Sequence, residues 1–180
     1  MLLVSPAGSP PALKAAIDQG ADAVYVGFRD QTNARAFPGL NFTEVDLRSG
    51  IAYAHGRGRK IYVALNTYPG AANLGAWHAA VDRAAALGVD AVICADMGVL
   101  DYAVRRHPGL PRHLSVQGSA TTHAALRYYR ERFGIARAVL PRVLSIQQVE
   151  RLCAQNIVPI EVFAFGSLCI MVEGRCQLSS

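Results

Sequence analysis

Two cysteines, Cys169 and Cys176, stand in the glycine-rich stretch 163-FAFGSLCIMVEGRCQLSS-180, separated by six residues. Thiolates are the ligands that iron–sulfur clusters and structural zinc take, usually four at a time, so this pair is half of a tetrahedral sulfur site. The C-x6-C spacing is equally compatible with two ordinary cysteines in a turn, because it matches no diagnostic metal motif. Arg175 lies beside Cys176 and could lower its thiol pKa. The other two cysteines differ. Cys94 falls within an apolar run and Cys153 within a helical pattern, and both read as small buried hydrophobes.

Other chemistry is absent from the pattern. Neither G-x-S-x-G nor H-E-x-x-H occurs, and the five histidines (55, 78, 107, 113, 123) are scattered without metal-ligand spacing. All five read as surface histidines, mostly on helices or helix ends. Nor is there a G-x-G-x-x-G after the first strand or a phosphate-cradling G-x-x-x-x-G-K-[ST]. The turn there is SPAGSP.

The elements that must position the cysteines follow from periodicity. Short apolar runs at 2–4, 23–27, 60–66, 90–96, 113–117, 137–142 and 158–166 read as seven strands. Between them lie helical patterns at 10–19, 43–55, 73–87, 97–106, 121–133 and 145–155. Ser9, Thr43, Asp96 and Ser145 stand where N-caps belong, with Asp46 and Gln148 three residues into the second and sixth helices. The segments 20-GADAVYVG-27, 88-GVDAVICAD-96 and 134-GIARAVLPR-142 echo one another.

Strands alternating with helices predict a parallel α/β sheet, and without the dinucleotide fingerprint a (β/α)8 TIM-type barrel is expected over a doubly wound sheet. Seven strands and six helices leave such a barrel incomplete. Residues 1–180 are therefore expected to be the N-terminal part of one barrel domain. Active sites of these barrels lie at the C-terminal ends of the strands. That rule nominates Asn66, Asp96, Gln117 and Arg142 for substrate binding beside the cysteine loop, with Asp96 equally placed to cap the following helix.

Composition narrows the class. A hydrophobic content of 52% over 180 residues suits one packed domain, and no apolar run reaches the 18 residues of a membrane span. Four cysteines without a leader sequence point to a cytoplasmic protein with reduced thiols. The net charge of +5 gathers in GRGRK at 56–60, Arg105–Arg106 and RYYRER at 127–132. Such clusters could bind RNA, but as solvated faces of outer helices they make nucleic acid the less favoured partner.

The runs LVSPAGSPPALKAAI, GADAVYVG, TNAR, GLNFT and, most specifically, EVFAFGSLCIMVEGRC resemble the peptidase family of once-unknown catalytic type. That family includes collagenase-like proteins and iron–sulfur hydroxylation proteins, and the resemblance is strongest to its ubiquinone-biosynthesis branch. It implies a [4Fe–4S] cluster with four cysteine ligands, Cys169 and Cys176 matching the first two and the others not in this sequence. It also implies a heterodimer with a UbiV-like protein. Together they would hydroxylate the aromatic ring of an apolar ubiquinone precursor without dioxygen, with prephenate as a possible oxygen donor. RNA-base hydroxylation and collagenase-like peptidase activity are the family's alternatives.

Overall fold

The structure, a computed structural model, describes residues 1–70 and 72–166. Strands and helices alternate throughout: β1 (Val4–Pro6), α1 (Pro10–Asp18), β2 (Ala23–Gly27), α2 (Glu44–His55), β3 (Lys60–Leu65), α3 (Leu74–Leu87), β4 (Ala91–Cys94), α4 (Met97–Arg106), β5 (Arg112–Leu114), α5 (His123–Phe133), β6 (Arg137–Val139), α6 (Ile146–Ala154) and β7 (Ile160–Glu161). All strands are parallel, and their order in the sheet is their order in the chain. A doubly wound sheet would reverse order at a switch point; uninterrupted sequential order is the wall of a (β/α) barrel.

Local chemistry sets the helix starts. The hydroxyls of Ser9, Thr43, Thr122 and Ser145 and the carboxylate of Asp96 each accept from a backbone N–H three residues on. Thr43–Asp46 and Ser145–Gln148 are complete capping boxes, each satisfying two orphan donors at once. Asn73 occupies the equivalent place before α3 without a side-chain cap bond.

Two layers of side chains leave the sheet on opposite faces. Val24, Val26, Ile61, Val63, Leu65 and Leu114 point outward and join the helices, notably Leu13, Leu47, Trp77 and Leu100, in the main core. The alternate positions point inward, where Ala23, Tyr62, Ala91 and Ile93 form a separate cluster with Val4 and Tyr25. β2 and β3 thus place their branched aliphatic residues on the helix side, where their burial stabilises the fold.

Several expectations are corrected. Cys153 is exposed on α6 rather than buried, because the buried stripe of that helix is carried by Leu152. His113 is not a surface residue: it is the middle residue of β5 and lies inside the barrel, 5% exposed. The fifth strand stops at Leu114, because the Ser115 hydroxyl accepts from the Gln117 N–H at 3.2 Å and turns Val116–Gly118 into a 3-10 turn. The seventh strand, expected over 158–166, is only Ile160–Glu161. Its pairing with β6 rests on the Ala138 N–H donating to the Pro159 carbonyl at 3.0 Å and the Leu140 N–H to the Glu161 carbonyl at 2.9 Å.

Candidate active site

Parallel strands bring their C-terminal ends to one face, and the loops that leave them are tied together there. The Asn41 N–H donates to the Gly8 carbonyl at 2.6 Å, joining the loops after β1 and β2. The Thr67 hydroxyl donates to the Gln31 carbonyl at 2.6 Å, joining those after β2 and β3. The Tyr68 hydroxyl donates to the Gln117 carbonyl at 2.6 Å, reaching the turn after β5.

All four nominated residues stand on this face, in different circumstances. Asn66 is half-buried, and its side-chain oxygen accepts from the Ala34 N–H at 3.0 Å, fixing the loop after β2. Asp96 caps α4 through the Val99 N–H at 3.0 Å. Gln117 sits in the 3-10 turn. Arg142 lies over the Phe163 ring at 3.6 Å, a cation–π contact that orients its guanidinium at the rim.

The loop between β2 and α2 is built around asparagines. The Asn33 amide donates to the Asn41 side-chain oxygen at 2.9 Å, and both residues are buried. Asn33 also accepts from the Arg35 N–H at 3.1 Å, while the Asn41 amide donates to the Arg35 carbonyl at 2.6 Å. Asn41 adopts φ 71°, a left-handed conformation that asparagine tolerates better than other side-chain-bearing residues. Gly27, the last residue of β2, makes room for this latch: a Cβ there would stand 1.9 Å from Asn33 Nδ2 and 2.3 Å from its Cγ. Gly27→Ala is expected to displace Asn33 and destabilise the fold by about 1–3 kcal/mol. Chemical denaturation reads that loss, and an unchanged midpoint would mean that the latch tolerates the extra methyl.

Beneath the rim the barrel interior is polar. Tyr25 and Tyr62 are register partners on β2 and β3, and His113 and Arg137 are partners on β5 and β6. The Tyr62 and His113 rings meet edge to face at 4.7 Å. Arg137 pairs with Glu161 at 2.9 Å and lies 5.7 Å from the Tyr62 ring centre. Burial, then the positive charges of Arg137 and Lys60, push the His113 imidazole down to about 4, so it is neutral at physiological pH. Its Nδ1 is buried with no hydrogen-bond partner among the described residues. Burial raises the Tyr25 phenol, and the charges of Arg35 and Arg142 oppose that rise while Glu161 adds to it.

These interior residues and Arg35 were not among the sequence nominations. The signal was in the alternation: Lys60, Tyr62 and Ala64 share one face of β3, while Ile61, Val63 and Leu65 share the other. Read as continuous apolar strands, β2 and β3 concealed it.

Cys169 and Cys176 lie outside the described residues. What is described bears on the other cysteines. Cys94 faces the sheet–helix core, and burial pushes its thiol up to about 12, which opposes the thiolate a cluster needs. Cys153 is near the C-terminal end of α6, at the opposite end of the barrel from the rim. Among the described residues no three of His, Cys, Asp and Glu come together as a metal site. Ligation by Cys94 or Cys153 is therefore disfavoured.

Comparison with known proteins agrees with this geometry. The chain is 36% identical to tRNA hydroxylation protein P of Escherichia coli (strain K12), over 98% of its own length and 39% of the relative's. It is 38% identical to an uncharacterized protease of Methanocaldococcus jannaschii, over 99% of its length and 44% of the relative's. The chain thus spans about two fifths of these curated relatives. A solved U32 peptidase structure superposes with a TM-score of 0.70 at 17% identity, covering 90% of this chain and 67% of that one. Peptidase family U32 matches residues 8–180, and the chain belongs to that family.

Proposed function

We propose that this chain supplies the barrel and the first two cysteine ligands of an iron–sulfur hydroxylation protein. In this reading it acts as UbiU would, with a UbiV-like partner, on the aromatic ring of a ubiquinone precursor and without dioxygen. One observation supports the reading: β7 ends at the rim, and the sequence that bears Cys169 and Cys176 follows it in the chain. Hydroxylation is supported by the name of the Escherichia coli relative, and the ubiquinone branch by the EVFAFGSLCIMVEGRC segment. A bound cluster would supply the electron transfer that side chains cannot. This chain's own contribution is a rim of tied loops over an interior that carries Tyr25, Tyr62, His113 and Arg137.

An RNA substrate is the second reading, since the relative's printed name is that of a tRNA hydroxylation protein. The arginines weigh against it. Arg57, Arg59, Arg105 and Arg132 are each ion-paired with an aspartate on the outer surface, which weakens the basic clusters as phosphate-binding patches.

Iron and sulfide analysis of the complete natural protein, purified without oxygen, tests the cluster. About four irons are expected, with loss of iron in Cys169→Ala and in Cys176→Ala and none in Cys153→Ala. Iron retained in both Cys169→Ala and Cys176→Ala would sink the ligand assignment. The substrate is tested in cells lacking the gene and grown without oxygen. Ubiquinone should fall while tRNA hydroxylation stays unchanged, and the reverse result would establish the RNA reading.

A further inference from the structure

Apolar burial is uneven between the two ends of the barrel. At the end where the strands begin, the only large apolar side chains left exposed among the described residues are Met1, Leu2 and Leu3. Beyond their first turns the helices leave only Tyr128 exposed among side chains of this kind. The rim is different. Phe37 and Leu40 after β2, Tyr68 after β3, Met97 opening α4, and Val143 and Ile146 after β6 are all exposed, the last two at 80% and 76%. Four separate loops thus carry apolar side chains into water at one face. Single exposed apolar residues need no explanation, but their concentration on one face marks a contact surface.

The same face carries cations. The Arg29 Nε donates to the Asn41 carbonyl at 2.9 Å, and Arg142 lies on the Phe163 ring at 3.6 Å. Arg35 is exposed on a backbone held at both of its polar groups, the N–H by Asn33 and the carbonyl by Asn41. The carboxylates of this face are engaged within the protein: Asp30 with Arg83 at 2.6 Å, Asp46 with the Thr43 cap and, at 3.6 Å, with Arg29, and Asp96 with the Val99 N–H. The centre of the face is polar, with Asn33, Asn41 and Ser115 buried near the strand ends. A protein interface has the opposite anatomy, an apolar core sealed by a polar margin. Apolar loop tips and aromatic rings interspersed with arginines around a polar centre match the headgroup layer of a bilayer instead.

We infer that this rim docks on an anionic lipid surface. The apolar side chains of the four loops enter the headgroup layer, and Arg29, Arg35 and Arg142 meet lipid phosphates. No helix among the described residues is long and apolar enough to cross a membrane, so this part of the protein docks peripherally. Docked this way, the mouth of the barrel opens onto the bilayer, and an apolar molecule reaches it without crossing water. The inference goes beyond the hydroxylase reading and stands apart from it, because docking is measured without substrate or turnover.

Co-sedimentation of the complete natural protein with lipid vesicles tests it. Vesicles of phosphatidylglycerol and phosphatidylcholine in equal parts should be bound about tenfold more tightly than phosphatidylcholine alone, and added salt should weaken the binding. Arg35→Gln should weaken it about fivefold, the factor for one cation near an anionic surface. Val143→Ser combined with Ile146→Ser should weaken it about tenfold, with an unchanged melting temperature because both side chains are exposed. Tyr128→Ser, at an exposed position on α5, should bind as the parent does. A parent that ignores both kinds of vesicle, or a Val143/Ile146 variant that binds them as the parent does, would overturn the inference. Three other results would overturn it by naming a different occupant of the rim. A melting temperature lowered by the Val143/Ile146 pair would place more of the protein's own polypeptide there, a changed oligomeric state a second copy, and tRNA binding lost in that pair an RNA.

Discussion

Replacing Arg112 by methionine should cost about 3–5 kcal/mol of folding stability, the largest single effect expected outside the cysteine loop. Arg112 opens β5, is 9% exposed, and has no carboxylate partner among the described residues. Its guanidinium instead donates to backbone carbonyls: Leu110 at 2.7 Å, Phe133 at 3.0 Å and Pro108 at 3.3 Å. Phe133 is the last residue of α5, and Leu110 and Pro108 follow the end of α4. The cation therefore satisfies carbonyls just where two helix dipoles place their negative ends. Methionine keeps the packed stem but leaves those acceptors buried and unpaired. Buried ion pairs can often be replaced by apolar residues at little cost because both partners leave together. Here the carbonyls remain. Lysine should recover part of the loss, having charge but not the fork. Urea denaturation of the three proteins checks this, and a methionine variant within 1 kcal/mol of the parent would show that the carbonyls find other partners.

Arg112 also shows what sequence could and could not disclose. Helices were legible because their signals are local: Ser9, Thr43, Thr122 and Ser145 cap within three residues of themselves, and Gly134 ends α5 at φ 57°. Strand order followed from the alternation of elements. Strand ends were less legible, since the length of β5 depends on a Ser115 turn and that of β7 on how far a neighbouring strand pairs with it. The rim positions of Asn66, Asp96, Gln117 and Arg142 were readable from barrel geometry. The partners of those side chains were not, because Asn66 meets Ala34 and Arg142 meets Phe163 only after folding. The charged interior was hidden for a related reason. A histidine or arginine in a strand names no face until the register is known, and the register came from pairing Ile93 with His113 and His113 with Arg137.

His113 should make the fold lose stability as pH falls from about 6.5 to about 4. Burial first, then the charges of Arg137 and Lys60, disfavour the imidazolium inside the barrel, so the folded value lies below the ordinary one of 6.5. Between the two values the unfolded chain binds a proton that the folded chain refuses. Stability therefore rises with pH across this window and is complete above it. A shift of that size corresponds to roughly 3 kcal/mol. Carboxylates also titrate near its lower end. Asp30 is held low, against its burial, by bonds from Thr32 and Arg83, and Asp82 by the bond from His107, so their contributions fade at still lower pH. Their share cancels when the parent is compared with His113→Phe, which keeps an aromatic edge against Tyr62 and removes the titrating group. The variant should gain roughly 3 kcal/mol on the parent between pH 7 and pH 4. Denaturation midpoints measured across that range decide the matter: parallel curves would mean that His113 takes up its proton as readily in the barrel as in the unfolded chain. A variant that gains on the parent as pH falls would instead establish that the interior keeps the imidazole neutral, the condition under which Nδ1, unpaired among the described residues, can serve a bound molecule rather than a proton.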